Sequence, residues 1–228
     1  MHIVLIGGLW LTGSAWEAVA TELAGLGHEG VAVTLPGQGD GAVTATLEEQ
    51  VAAVLATVDA APGPVSVVGH SAAASLAWLA ADARPEKLAS VVFVGGWPAA
   101  DGETYFGSLE VVDGVLPFPG WEPFEGPDSA DLDDAAKERF AAEAVAVPEG
   151  VVRATVHLRD ERRYAVPAVL VCPEFSPAEA REWIDGGDLP ELAKIAELDL
   201  VDIDSGHWPM VTQPRRLAEI LAAAPSGD

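Results

Sequence analysis

The chain has 228 residues, half of them hydrophobic, and a formal net charge of −24. That length builds one large domain with a full core and leaves too little for a comfortable second one. So much negative charge argues against nucleic acid and anionic membranes as partners, because their phosphates would be repelled, and it reads as a solvated acidic surface.

The single cysteine, Cys172, allows no intramolecular disulfide, which fits a reducing compartment. The opening MHIVLIGG lacks the basic segment and the long apolar run of a signal peptide. No apolar run reaches the roughly 18 residues that a membrane helix needs. The expectation is a cytoplasmic protein, monomer or homodimer, whose partner is a small molecule.

Apolar runs alternate with amphipathic stretches along the chain. IVLIGG (3–8) reads as a buried strand. TGSAWEAVATELAGLGH (12–28) follows with helical periodicity, Ser14 and Glu17 forming a capping-box pattern and Gly25 and Gly27 closing the helix. GVAVTLPGQG (30–39) is a second strand running into a Pro/Gly loop, and residues 46–61 are a second helix with Thr46 and Glu49 as another capping box. PVSVVG (64–69) and SAAASLAWLAADA (71–83) are the third strand and helix. ASVVFVGG (89–96), PAVLVCPEF (167–175) and LDLVDIDSG (198–206) are strands four to six, with Pro190 and Pro214 near first-turn positions of helices. Strands alternating with helices predict an α/β fold with a parallel sheet covered on both faces. Residues 97–166 break the rhythm: they are rich in Pro, Gly, Asp and Trp and hold at least one helix (131–147). Too long for an ordinary connection, they read as a cap inserted into a single domain whose core is 1–96 and 167–228.

The third strand runs into Gly-His-Ser-Ala-Ala. A serine hydroxyl is a weak nucleophile at neutral pH and needs a base, exposure and donors for the developing oxyanion. A sharp strand-to-helix turn supplies exposure and aims the next backbone N–H at the same spot. The turn is tight, so the residues two before and two after the serine must be small: Gly69 and Ala73. Ser71 is therefore a candidate nucleophile, although a serine that only caps the helix would look similar. His207, in a glycine-containing loop after the sixth strand, is the candidate base. His2, His28, His70 and His157 fit that role less well from their positions. Gly7-Gly8 ends the first strand and lets backbone amides face a cavity, so Leu9 N–H and Ala72 N–H are the candidate oxyanion pair.

Together these residues resemble the α/β-hydrolase superfamily, in which the histidine follows the serine in this order. Residues 69–102 (GHSAAASLAWLAADARPEKLASVVFVGGWPAADG) and 205–221 (SGHWPMVTQPRRLAEIL) are similar to the branch of plant methylesterases and hydroxynitrile lyases and their bacterial relatives. The resemblance implies about six mostly parallel strands, helices on both faces, a helical cap after the fourth strand, and no metal or organic cofactor. It also implies a third catalytic group, an aspartate in a Cys-Thr-Glu-Asp sequence after the fifth strand. Here the sequence is Cys172-Pro173-Glu174-Phe175, so Phe175 takes the expected place and Glu174 stands one residue early. Glu174 is preferred as the acid. Asp101 and Glu103, past the end of the fourth strand, are alternatives, and a dyad is a further one. A one-residue slip on a strand turns a side chain to the other face, so Glu174 serves only where the chain has already left the strand.

Trp10, Trp97, Trp121 and Phe106, with Phe118 and Phe124, lie in loops or the cap and are candidates to line an apolar pocket over Ser71. No basic residue stands near the motifs to bind a phosphate or coenzyme A, and Arg159, Arg162 and Arg163 read as a solvated run. The expected activity is hydrolysis of a small, largely apolar, neutral ester or lactone. The displaced acid, and Ala73 where the familiar form of the turn has glycine, motivate a rival, a non-catalytic ligand-binding protein on a hydrolase scaffold. A lyase or C–C-bond hydrolase using the same Ser-His pair is a second rival. The lyases of this branch place a lysine near the cap, and Lys137, the one cap lysine, sits in an amphipathic helix expected at the surface.

Overall fold

The computed structural model describes residues 1–226. Six strands form one sheet: β1 (His2–Ile6), β2 (Glu29–Ala32), β3 (Val65–His70), β4 (Leu88–Val94), β5 (Ala168–Cys172) and β6 (Leu198–Asp202). Their spatial order is β2-β1-β3-β4-β5-β6, and every neighbouring pair runs parallel. Each residue of the central strands β3 and β4 is buried, as continuous apolar runs covered on both faces must be. At the edge, β6 is only half-buried along its length and leaves Asp199 and Asp202 exposed.

Helices Leu47–Ala60, Ala74–Ala83 and Pro177–Gly186 pack one face of the sheet through Val54, Leu76 and Ile184. Helices Glu17–Gly25 and Pro214–Ala223 pack the other through Val19, Leu23, Leu217 and Leu221. None of these helices is long and apolar enough to cross a membrane. The capping box at Thr46 and Glu49 forms, each accepting from the other's backbone N–H, at 2.8 and 3.3 Å. The one expected at Ser14 and Glu17 does not. Residues Gly13–Trp16 make a 3-10 turn, the α-helix starts only at Glu17, and Ser14 Oγ bonds Thr12 Oγ1 at 2.7 Å instead. Pro214 opens its helix, whereas Pro190 precedes only the 3-10 turn Leu192–Lys194.

Between β4 and β5 the chain makes helix Asp134–Glu143, the helical turn Glu149–Val152, and a two-residue antiparallel ladder of Val115–Leu116 with Val147–Pro148. At the end of this segment the solvated reading of Arg163 fails. Arg159 and Arg162 are exposed, but Arg163 is buried and pairs with Glu191 at 3.1 Å and Asp82 at 3.2 Å. Glu191 also accepts from Trp78 Nε1 and from the Tyr164 hydroxyl, both at 2.9 Å. A buried charge persists only where such partners replace water. This cluster fastens residues 160–164 to the helix behind the Ser71 turn.

Candidate active site

β3 ends at His70, and Ser71 begins a 3-10 turn leading into helix Ala74–Ala83. Ser71 has φ +54°, in the left-handed region that costs a non-glycine residue about 1–3 kcal/mol. The crowding around it falls before the serine and in the bend just past the end of β4. A Cβ on Gly69 would collide with the Ala73 carbonyl oxygen, and one on Gly96 would lie 2.6 Å from the Ser71 carbonyl oxygen. The Ala73 methyl, by contrast, is absorbed into the core. Glycine is thus required at 69 and 96 and not at 73.

His207 Nε2 lies 2.9 Å from Ser71 Oγ, and His207 Nδ1 lies 2.6 Å from Glu174 Oε1. With Nδ1–H donating to the carboxylate, the Nε2 lone pair accepts from the serine hydroxyl. β5 has ended at Cys172, and Pro173 to Phe175 form a bend, so Glu174 is free of the strand's alternation and turns toward His207. Glu174 Oε2 is buried without a partner. Asp101 accepts from the Leu158 N–H at 2.9 Å and Glu103 from the Ala100 N–H at 2.9 Å, and neither reaches His207. Asp128 also faces this pair: burial first, and then repulsion from Glu174, raises its carboxyl above the ordinary range.

Two polar contacts around the site escape sequence reading. Buried His70 donates Nε2–H to the carbonyl of His207 at 2.7 Å. Burial, reinforced by the nearby His207 charge, pulls the His70 pKa down to about 3, so its ring stays neutral. The loop after β1 is held by Gln38, whose Nε2 donates to the Gly8 carbonyl at 3.0 Å and the Leu11 carbonyl at 2.7 Å. Gln50 supports Gln38 in turn, donating to its Oε1 at 3.2 Å. This loop is pressed onto the Ser71 turn: a Cβ on Gly8 would lie 3.1 Å from Ser71 Cβ. Leu9 is buried just beyond Gly8, and Ala72 lines the cavity beside Ser71.

That cavity measures about 660 Å³. Trp97 and Phe106 line it as expected, and so do Tyr105, Phe175 and Trp183. Three of these rings meet edge-on or tilted: Phe175 and Trp183 at 5.2 Å, Trp97 and Trp183 at 5.6 Å, Trp97 and Phe175 at 6.0 Å. Carboxylates of Glu103, Glu179 and Asp188 stand along it, and no lysine or arginine does. The expectation for Trp10 and Trp121 is corrected. Trp10 packs on Phe118 and Phe124, and Trp121 on Phe118, Phe140 and Trp208, in an aromatic cluster between cap and histidine loop that does not face the cavity. Lys137 lies half-buried with its ammonium 5.6 Å from the Trp121 ring centroid, and it too is outside the cavity.

A model of the alpha/beta hydrolase family matches residues 3–220. No curated protein sequence matches the chain. Among solved structures, an extracellular alpha/beta-hydrolase from a Paenibacillus species, described as sharing structural and functional homology with tobacco salicylic acid binding protein 2, superposes with a TM-score of 0.82 at 19% identity, covering 99% of each chain. A methylesterase from Arabidopsis superposes at 0.76 and 16% identity over 97% of each chain. A pyrethroid hydrolase from Sphingobium faniae JZ-2 superposes at 0.69 and 24% identity over 97% of this chain and 96% of its own.

Proposed function

The chain belongs to the alpha/beta hydrolase family, and from that premise we propose that it is a serine hydrolase acting on a small, largely apolar, neutral carboxylic ester or lactone. The observation that carries this reading is the unbroken chain from Ser71 Oγ through His207 to Glu174, at 2.9 and 2.6 Å, opening on an aromatic cavity.

In this reading Ser71 Oγ attacks the ester carbonyl carbon while its proton passes to His207 Nε2. The carbonyl π-bond pair moves onto oxygen, and the resulting oxyanion is held by the Leu9 and Ala72 N–H groups. Collapse expels the alkoxide, which takes the proton back from His207 and leaves an acyl-serine. Water, deprotonated by His207, then attacks the acyl carbon, releases the carboxylic acid and restores Ser71. Glu174 holds the imidazole in the Nδ1–H tautomer and stabilises its protonated form. The aromatic lining supports an apolar substrate, and the lack of any cation along the cavity supports a neutral one.

Turnover of short-chain p-nitrophenyl esters by wild type and Ser71→Ala tests the proposal. The substitution is expected to lower kcat by at least about a thousandfold. Saturable binding with no wild-type turnover across a broad ester and lactone panel would overturn it in favour of a binding protein.

A further inference from the structure

The histidine loop is held from two sides. On the sheet side, His70 Nε2–H donates to the His207 carbonyl. On the cap side, the His207 N–H donates to the Asp128 carbonyl at 2.8 Å. Asp131 Oδ2 accepts from the Gly206 N–H at 2.8 Å and from the Ser205 hydroxyl at 3.1 Å. The fit leaves no slack, because a Cβ on Gly206 would strike both the Asp128 carbonyl and the Asp131 carboxylate. The next residue, Trp208, is buried against Trp121 and Phe124 at 5.3 Å and Phe140 at 5.2 Å, all from the cap segment. Asp131 itself touches neither the cavity nor the imidazole.

We infer that Asp131 is a positioning residue for His207: its carboxylate fixes the Ser205–Gly206 turn, and the base is aligned on Ser71 only while the cap segment around residues 128–131 is seated. The inference rests on the serine-hydrolase reading. Its physical basis is the steepness of alignment. Displacing a reacting group by about 1 Å costs on the order of a hundredfold in rate, and among the described residues the backbone of His207 is held by hydrogen bonds from these two directions. Seating of the cap and competence of the base thereby become one event.

The test compares Asp131→Ala with Asp131→Asn in the full chain, using p-nitrophenyl butyrate. Asp131→Ala is expected to lower kcat about 10- to 100-fold with KM within about threefold, and to slow phosphonylation of Ser71 by a fluorophosphonate by the same factor. Asp131→Asn, whose Oδ1 can accept both hydrogen bonds, is expected to recover most of that loss. The downfield proton signal of the His207 Nδ1–H bond to Glu174 should broaden or move in Asp131→Ala and return in Asp131→Asn. Gly206→Ala, which forces loop and cap apart, should reproduce the loss if Asp131→Ala does not fold. A lower melting temperature with kcat unchanged would overturn the inference, as would equal losses in the alanine and asparagine variants. If wild type turns over no ester, the hydrolase reading fails, and the proton signal alone decides whether Asp131 positions His207.

Discussion

Glu174→Gln isolates the charge of the proposed acid while keeping its shape. In the ground state Nδ1–H donates to Oε1 at 2.6 Å, and the two side chains are only 14% and 15% exposed, so water screens them little. When His207 takes the serine proton it becomes a cation beside that carboxylate. With charge centres about 4 Å apart and an effective dielectric near 20, the attraction is about 4 kcal/mol. That corresponds to nearly a thousandfold in rate. Glutamine also threatens the tautomer. If its NH2 turns to Nδ1, the imidazole must carry its proton on Nε2, where it donates to Ser71 instead of accepting from it. If its carbonyl turns to Nδ1, the NH2 takes the place of Oε2, which is buried without a partner. The expected outcome is a fall in kcat of roughly 10²- to 10⁴-fold, with KM changed only a few-fold. Steady-state hydrolysis of p-nitrophenyl butyrate measures both. Activity within threefold of wild type would refute this reasoning, because neither Asp101 nor Glu103 reaches His207.

Gln38→Ala removes both donors from the Gly8 and Leu11 carbonyls and leaves Gln50 short of an acceptor. It should cost about 1–3 kcal/mol of stability and lower kcat more than it raises KM. An unchanged kcat would show that the loop holds its own shape. His70 sets a pH limit on folding. The unfolded ring takes a proton below about pH 6.5, whereas the folded ring resists until about 3. Stability is therefore fully present above about 6.5 and is lost as pH falls through that window, by roughly 2–3 kcal/mol at pH 4.5. His70→Gln should shrink the drop in stability between pH 7 and pH 4.5 in urea melts, and an identical drop in both proteins would contradict this account.

Much of this was legible locally. The strand-turn-helix around Ser71 and the glycine loop before His207 announce themselves within ten residues, because tight turns dictate their own residue types. The place of Glu174 needed one fact that periodicity does not carry, that β5 stops at Cys172. The aromatic assignments divided for a related reason. Their places in the chain set Trp10 and Trp121 in a loop and in the inserted segment, outside the periodic strand and helix positions, but do not show that their rings pack with Trp208 and Phe118 instead of facing Ser71. Phe175 and Trp183 reach the cavity because the bend after β5 brings the helix Pro177–Gly186 alongside Trp97. Arg163 looked solvated beside its charged neighbours, while its partners Asp82 and Glu191 lie 81 and 28 residues away. His70 and Gln38 work through contacts 137 and about 30 residues distant, and no local pattern signals such pairs.

The carboxylates along the cleft bear on how a reaction there would finish. An ester arrives neutral, but hydrolysis turns its acyl half into an anion, released among Glu103, Glu179, Asp188 and Glu174 with no lysine or arginine along the wall to retain it. Over the few ångströms of such a cleft, like charges repel within the reach that salt leaves unscreened. On the proposed reaction the departing acid would be pushed outward by the same surface that admits its precursor, so added carboxylate product should barely slow the initial rate, and strong product inhibition would count against that picture.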